Sequence, residues 1–278
     1  MDEKITYKKV EESNDSIKKK EYWDIAIGLN KVDNLAPSSY FKELVAENIQ
    51  GTKTNEEIEY AITEYYKEKK FRQEINESEQ QCDMVSMRIK ELLEDSSFTF
   101  SPITLKNIHK YLFRDVFDFA GQFRDYNISK EEIILHGESV KYANYFMIDD
   151  TLKYDFDEER KVDYSAMTLT EQIDRLMDFT SRIWQVHPFG EGNTRTTAVF
   201  IEKYLNSMGY SVSNDMFKEK ALYFRNALVR ANYTNHSKKV YATDTYLRKF
   251  FENLLLGQTH ELHNREMIVG FQNTVENK

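Results

Sequence analysis

Helical periodicity runs through this chain with almost nothing to interrupt it, because 278 residues contain 9 glycines and 3 prolines. A helix interior tolerates neither residue well, while a sandwich or barrel needs many turns built from them. The clearest stretch is Ile173, Leu176, Met177, Thr180, Ile183 and Trp184, which fall at i, i+3, i+4, i+7, i+10 and i+11 and make one apolar face. It stops at His187-Pro188, and residues 194–208 are again apolar at helical spacing, so a new helix starts just beyond Gly192. The expected fold class is all-α.

The same reading places the other elements. Residues 1–20 read as a charged, mobile lead-in. A short helix over residues 22–30 ends before Pro37, and Ser38 and Ser39 cap a second with Tyr40, Leu44, Val45 and Ile49. Gly51 ends that helix, and Thr54-Asn55-Glu56-Glu57 opens a third with Ile58, Ile62, Tyr65 and Tyr66. A long helix over about 73–93, an extended piece at 98–100 and a helix over 105–117 follow. Residues 121–140 break the helical period, with Gly137 as a turn residue and Ile133-Ile134-Leu135 reading as a strand, so a β-hairpin or flap is expected there. Helical spacing returns at residues 222–233. The implied division is a small helical module over 1–70, a main domain over 71–255 and a tail over 256–278.

Charge and cysteine content exclude several functions. A net charge of -9 lacks the cationic surface that nucleic-acid binding needs. Cys82 is the only cysteine, which rules out an intrachain disulfide and a multi-cysteine zinc site and leaves an inert helix residue. No apolar run approaches the roughly 20 residues of a membrane helix, and the charged N-terminal stretch has no leader character, so no membrane partner and a cytoplasmic location are expected.

The chemistry concentrates in His187-Pro188-Phe189-Gly190-Glu191-Gly192-Asn193-Thr194-Arg195, between two helices. Gly190 and Gly192 allow backbone N–H groups to converge on an anion where the next helix offers its positive end, with Thr194 in its first turn. Asn193 adds a neutral donor, and Arg195 a bidentate cation for phosphate oxygens. Glu191, the one acid, would repel phosphate unless a cation lay between, and Mg²⁺ shared by one carboxylate and substrate phosphates is the usual solution. His187 can be the general base, and Phe189 the apolar anchor. Base, cradle, metal carboxylate and arginine within nine residues exceed what a turn needs.

This segment resembles the signature of Fic proteins, His-Pro-Phe-x-(Asp/Glu)-Gly-Asn-x-Arg, at every fixed position. Ile108-His109-Lys110-Tyr111-Leu112-Phe113, running on to Phe119-Ala120-Gly121-Gln122-Phe123-Arg124, is similar to the helix and turn before the flap in that family. The resemblance covers roughly residues 70–255. It implies a Fic-type helical bundle with a flap and a protein adenylyltransferase that uses ATP and Mg²⁺. His187 would deprotonate a Tyr, Thr or Ser hydroxyl of a target protein or of the chain itself, and Glu191 would hold Mg²⁺. Gly190, Gly192, Asn193, Thr194 and Arg195 would hold the phosphates. Ile133, Ile134, Leu135, His136 and Gly137 would pair with the target backbone, while Asn226, Leu228 and Asn232 lie at the right distance downstream to approach adenine. A Doc-like phosphotransferase and an inactive binding module are the alternatives, and oligomeric state stays open.

Two departures bear on control. Many Fic proteins have a second arginine three residues after the first, where this chain has Ala198, and an inhibitory (Ser/Thr)-x-x-x-Glu-(Gly/Asn) helix whose glutamate pairs with it. The N-terminal module is similar in layout to the antitoxin partners of some Fic proteins. In that register the motif falls on Leu29 to Asn34, with Leu29 for Ser, Asp33 for Glu and Asn34 last; the alternative register is Ser39 to Glu43. The expectation is that the module is a structural or weakly regulatory lid and that control by a Glu–Arg salt bridge has been lost.

Overall fold

The computed structural model describes residues 14–210, 212 and 215–270. These form ten α-helices: α1 Asn14–Asn30, α2 Ser39–Ile49, α3 Asn55–Phe71, α4 Glu77–Glu94, α5 Pro102–Phe113, α6 Ile148–Arg160, α7 Leu169–Val186, α8 Asn193–Ser207, α9 Asp215–Ala231 and α10 Thr245–Leu256. No strand occurs among the described residues, where a single antiparallel bridge joins Asn235 to Val240. None of the described helices is long and apolar enough to cross a membrane.

The helix starts follow local chemistry. Ser38 Oγ accepts from Phe41 N, Ser101 Oγ caps α5 ahead of Pro102, and Thr54/Glu57 and Thr168/Glu171 form reciprocal capping boxes. The apolar stripe of α7 is buried along its whole length. Helix α8 lies at the centre, with every residue from Asn193 to Leu205 buried. Its polar side chains therefore need internal partners, and these fix its neighbours.

Two apolar clusters result. The larger spans α4 to α10 and takes in Ile25, Ala26 and Leu29 of α1. The smaller gathers Trp23, Phe41, Leu44, Ile58, Ile62 and Tyr66 of the first three helices around Met87 of α4. Complete burial of each large side chain contributes roughly 1.5–3 kcal/mol. A polar dock joins the module to α4: Ser38 Oγ and Tyr66 Oη each donate to Asp83 Oδ2 at 2.6 Å, and burial raises the Asp83 pKa to about 6. At Gly28 a Cβ would meet the Lys218 backbone at 2.5 Å, so glycine lets α1 lie directly against α9.

Two expectations change. Residues 14–20 are helical, not a mobile lead-in, with a Lys19–Asp15 ion pair one turn apart; residues 1–13 lie outside the described part. The expected hairpin strand at Ile133–Leu135 is a 3₁₀ turn, closed by Glu132 N donating to Glu138 O at 3.0 Å. Ile134 and Leu135 are both buried while Ile133 is 91% exposed, and strand alternation cannot bury two consecutive side chains on one face.

Candidate active site

Proline sets the site's geometry. Pro188 disfavours a helical residue before it, so α7 ends and His187 turns left-handed at φ 48, its N–H on Trp184 O. His187 Nδ1 lies 3.2 Å from the same carbonyl. A carbonyl only accepts, so Nδ1 carries the proton and Nε2 presents its lone pair. The ring sits 4.2 Å from the Tyr142 ring and edge-on to Trp184, and burial pushes its pKa down to about 3. His187 is thus a neutral base of fixed tautomer.

The loop beyond it is held from inside and outside. Phe189 N donates to Asn193 Oδ1 at 3.0 Å while Asn193 Nδ2 donates to Phe189 O at 2.9 Å. The Asn193 carboxamide is therefore committed to the loop, not free for phosphate as expected from its polarity alone. Thr194 Oγ1 likewise accepts from Trp184 Nε1 at 3.0 Å and joins α8 to α7. His109 stacks on Phe189 at 3.7 Å, accepts from Gly121 N at Nδ1 and donates from Nε2 to Glu191 O at 3.0 Å. Gly192 has φ 77 at the start of α8, and a Cβ there would strike the Phe113 ring at 2.4 Å.

Arg124 is a residue to which sequence reasoning gave no task. Its guanidinium donates to the carbonyls of Val186, His187, Tyr126 and Ala143, and its N–H to Pro188 O, joining the loop after α7 to the segment between α5 and α6. The signal was its position in the second matched stretch. Lys130 and Arg225 are further cleft residues left out of that reading; Arg225 lies next to Asn226, and its Nη2 pairs with buried Glu132 at 2.8 Å.

The Glu191 carboxylate is half-exposed on the cleft wall, 3.6 Å from Lys130 Nζ, with one oxygen accepting from Gly192 N. No group of three or more His, Cys, Asp or Glu side chains able to hold a metal occurs among the described residues. A cation at Glu191 would accordingly draw its other ligands from phosphates and water, as Mg²⁺ commonly does, and the donor set fits that ion.

The Arg195 side chain is fully buried and already engaged. Its Nε lies 2.8 Å from Asp33 Oδ2, one Nη donates to Asn30 Oδ1 at 2.9 Å, and the Gln81 amide, turned so that its oxygen faces the guanidinium, accepts at 2.9 Å. The plane also covers the Phe113 ring at 4.7 Å. Burial lowers the Arg195 pKa, and the Asp33 charge opposes that shift. The motif's acid is therefore paired after all, by another partner than the family pattern implies: with Ala198 at the second position, Asp33 reaches the loop arginine itself. Leu29 is buried in the core, and Asn34 closes the turn at φ 57. Ser39 and Glu43, the alternative register, are exposed on α2 and do not line the cleft.

Of the loop, Glu191 and Arg195 line a cleft of about 970 Å³, together with Asp33, Asn34, Lys130, Ile133, Ile134, Arg225 and Asn226 among others, while His187, Gly190 and Gly192 are not among its lining residues. Of the residues assigned to adenine, only Asn226 borders it. Leu228 is fully buried in the core, and Asn232 bonds Ser181 Oγ at 2.9 Å on the side where α9 meets α7. Helix-face packing decided both.

Residues 99–205 match the model of the Fic/DOC family. The chain is 27% identical over 164 residues to the probable protein adenylyltransferase y4lH of Sinorhizobium fredii, covering 57% of this chain and 77% of that protein. It is 28% identical over 143 residues to the protein adenylyltransferase VbhT of Bartonella schoenbuchensis, covering 47% and 28%. With the probable protein adenylyltransferase Fic of Escherichia coli K12 the identity is 26% over 112 residues, covering 39% and 52%. The matched part thus spans about half or less of the last two proteins.

Proposed function

We propose that this chain, whose residues 99–205 match the Fic/DOC family model, transfers AMP from ATP to a Tyr, Thr or Ser hydroxyl of a protein and releases pyrophosphate. The observation that carries this reading is the His187 tautomer, set by Nδ1 on Trp184 O so that Nε2 is the basic nitrogen, beside a glycine-opened helix start. Nε2 takes the hydroxyl proton as that oxygen bonds to the α-phosphorus, and the bond from phosphorus to the β-bridging oxygen breaks. The Gly190 N–H and the first turn of α8 meet the phosphate charge, joined by Arg195 and, once the Glu191 carboxylate turns to the cation, by the Gly192 N–H. Mg²⁺, held by Glu191 and the phosphates, would neutralise the charge that develops on the leaving group. The side chains of Asn193, Thr194, His109 and Arg124 keep the loop in shape.

Arg195 cannot serve phosphate while Asp33 and Asn30 hold it. We therefore read the described part of the N-terminal module, residues 14–70, as a lid whose Asp33 competes with the nucleotide for that arginine.

Incubating the protein and its Asp33→Ala variant with Mg²⁺ and ATP labelled at the α or the γ position tests this. Label from α-phosphate, abolished by His187→Ala, is expected. Transfer from the γ position alone would make the chain a kinase, and no transfer from either variant would sink the enzyme reading.

A further inference from the structure

Tyr145, Phe146 and Met147 are three consecutive large apolar residues, a run that burial would normally claim. They form a 3₁₀ turn immediately before α6, and α6 turns Ile148, Leu152 and Phe156 to the core, which leaves the turn outside. Together with Tyr126 these side chains are 43% to 68% exposed.

The four belong to one surface. Tyr145 N donates to Asn127 Oδ1 at 3.0 Å, which sets the turn beside Tyr126, and the Tyr145 and Phe146 rings meet edge-on at 5.6 Å. Arg124 braces both sides of it, donating to Tyr126 O at 2.7 Å and to Ala143 O, while its Nε holds His187 O. The patch is therefore tied to the catalytic loop. A Cβ built on Gly190 would meet Tyr126 Oη at 3.0 Å, so the patch borders the loop directly. None of its residues belongs to the 133–137 turn.

The rim selects the partner. Asp125, Asp149 and Asp150 flank the patch in sequence, all three exposed and none ion-paired with a described residue. Two of them suit the start of α6, but the exposed rings contribute nothing to that helix. Nucleic acid and an anionic lipid surface are repelled by such a rim and by the net charge of -9. A second copy, meeting this one across a two-fold axis, would set the same acids against one another. What fits is a protein segment with Lys or Arg among apolar residues, whose long stems cover the rings while their charged heads reach the acids.

We infer that Tyr126, Tyr145, Phe146 and Met147, rimmed by Asp125, Asp149 and Asp150, dock a basic and apolar segment of another protein. That this segment leads the modified hydroxyl to the loop rests on the adenylyl-transfer reading; the docking itself does not.

The probe is a fluorescent synthetic peptide of alternating lysine and leucine, followed by anisotropy with the full chain at physiological salt. Phe146→Ser with Met147→Ser should weaken binding at least tenfold, since each loses the burial of a large apolar side chain. Both residues are exposed, so thermal unfolding should be unchanged. Asp149→Asn with Asp150→Asn should weaken binding about fivefold, the worth of two exposed ion pairs. Glu43→Gln with Glu56→Gln, an equal change of charge at exposed positions of α2 and α3, should have less than a twofold effect. Peptides alternating lysine with serine, or glutamate with leucine, should bind at least tenfold more weakly. No binding, an equal loss in the Glu43/Glu56 pair, indifference to Phe146→Ser with Met147→Ser, or a dimer in sedimentation that those two substitutions abolish would overturn the proposal. No nucleotide enters the assay, so its failure is separate from any failure of adenylyl transfer.

Discussion

Replacing Asp33 with alanine should make the ligand-free protein less stable and its affinity for ATP higher. Arg195 is 0% and Asp33 20% exposed in the side chain, with 2.8 Å between charged atoms. Removing one partner from a buried pair costs about 3–5 kcal/mol. Asn30 and Gln81 continue to hold the guanidinium and Asp33 is partly solvated, so about 2 kcal/mol is the expected cost here. That corresponds to a fall in Tm of about 4–8 °C for a domain of this size. If nucleotide phosphates must displace Asp33, the same 2 kcal/mol is no longer lost on binding, and Kd drops about 30-fold. Calorimetric titration with Mg²⁺–ATP in a His187→Ala background prevents turnover, and Asp33→Glu keeps the charge as a control. Opposite signs for stability and affinity are diagnostic. If ATP binding weakens or stays unchanged, Asp33 supports Arg195 rather than blocking it, and the lid reading fails.

Other consequences concern buried groups. The His187 pKa is pushed down to about 3 by burial, so the folded chain refuses a proton that the unfolded chain takes up below about pH 6.5. Its contribution to stability is therefore intact above that pH and lost as pH falls, and a His187→Gln variant should lose about 1.4 kcal/mol per pH unit less than the parent between pH 6 and 4 in urea denaturation. Parallel curves would refute the neutral buried base. Glu202 runs the other way: burial pushes its pKa up to about 8, and Oε2 has no partner. The unfolded chain ionises it from about pH 4.5, so Glu202→Gln should stabilise by up to about 3 kcal/mol at pH 7 and little at pH 4.5, read from denaturation midpoints at both. Gly192→Ala places a methyl 2.4 Å from Phe113 at φ 77, and a loss of about 2–4 kcal/mol in thermal unfolding is expected, with the cleft loop displaced. A variant as stable as the parent would mean that Phe113 yields easily.

Local chemistry made much of this protein legible. The α7 stripe, the capping boxes, the stop at Pro188 and the restart after Gly192 depend on neighbours within one or two helical turns, and each appears where the sequence indicates. The identity of the loop was legible for the same reason, since nine consecutive residues carry it. What failed depended on partners distant in sequence. Apolar density at Ile133–Leu135 suggested a strand, but the core beneath buried two adjacent side chains and imposed a turn. Ile148, Leu152 and Phe156 form a stripe at i, i+4 and i+8 that went unclaimed until α6 was found against α7. Leu228 and Asn232 had the right sequence distance to face a nucleotide, yet helix rotation turned them to the core and to α7.

The sequence by itself therefore determined the helical class, the helix boundaries around the loop and which side chains could do chemistry, because those follow from propensity, capping and residue type. Tertiary structure alone decided how they are used. It committed Asn193 to Phe189, gave His187 its tautomer through Trp184 O, and brought Asp33 to Arg195 and Val269 to the flap, across separations of more than 130 residues in the last two cases. No local pattern encodes such meetings, since a buried polar group takes whichever partner the packed helices carry within reach.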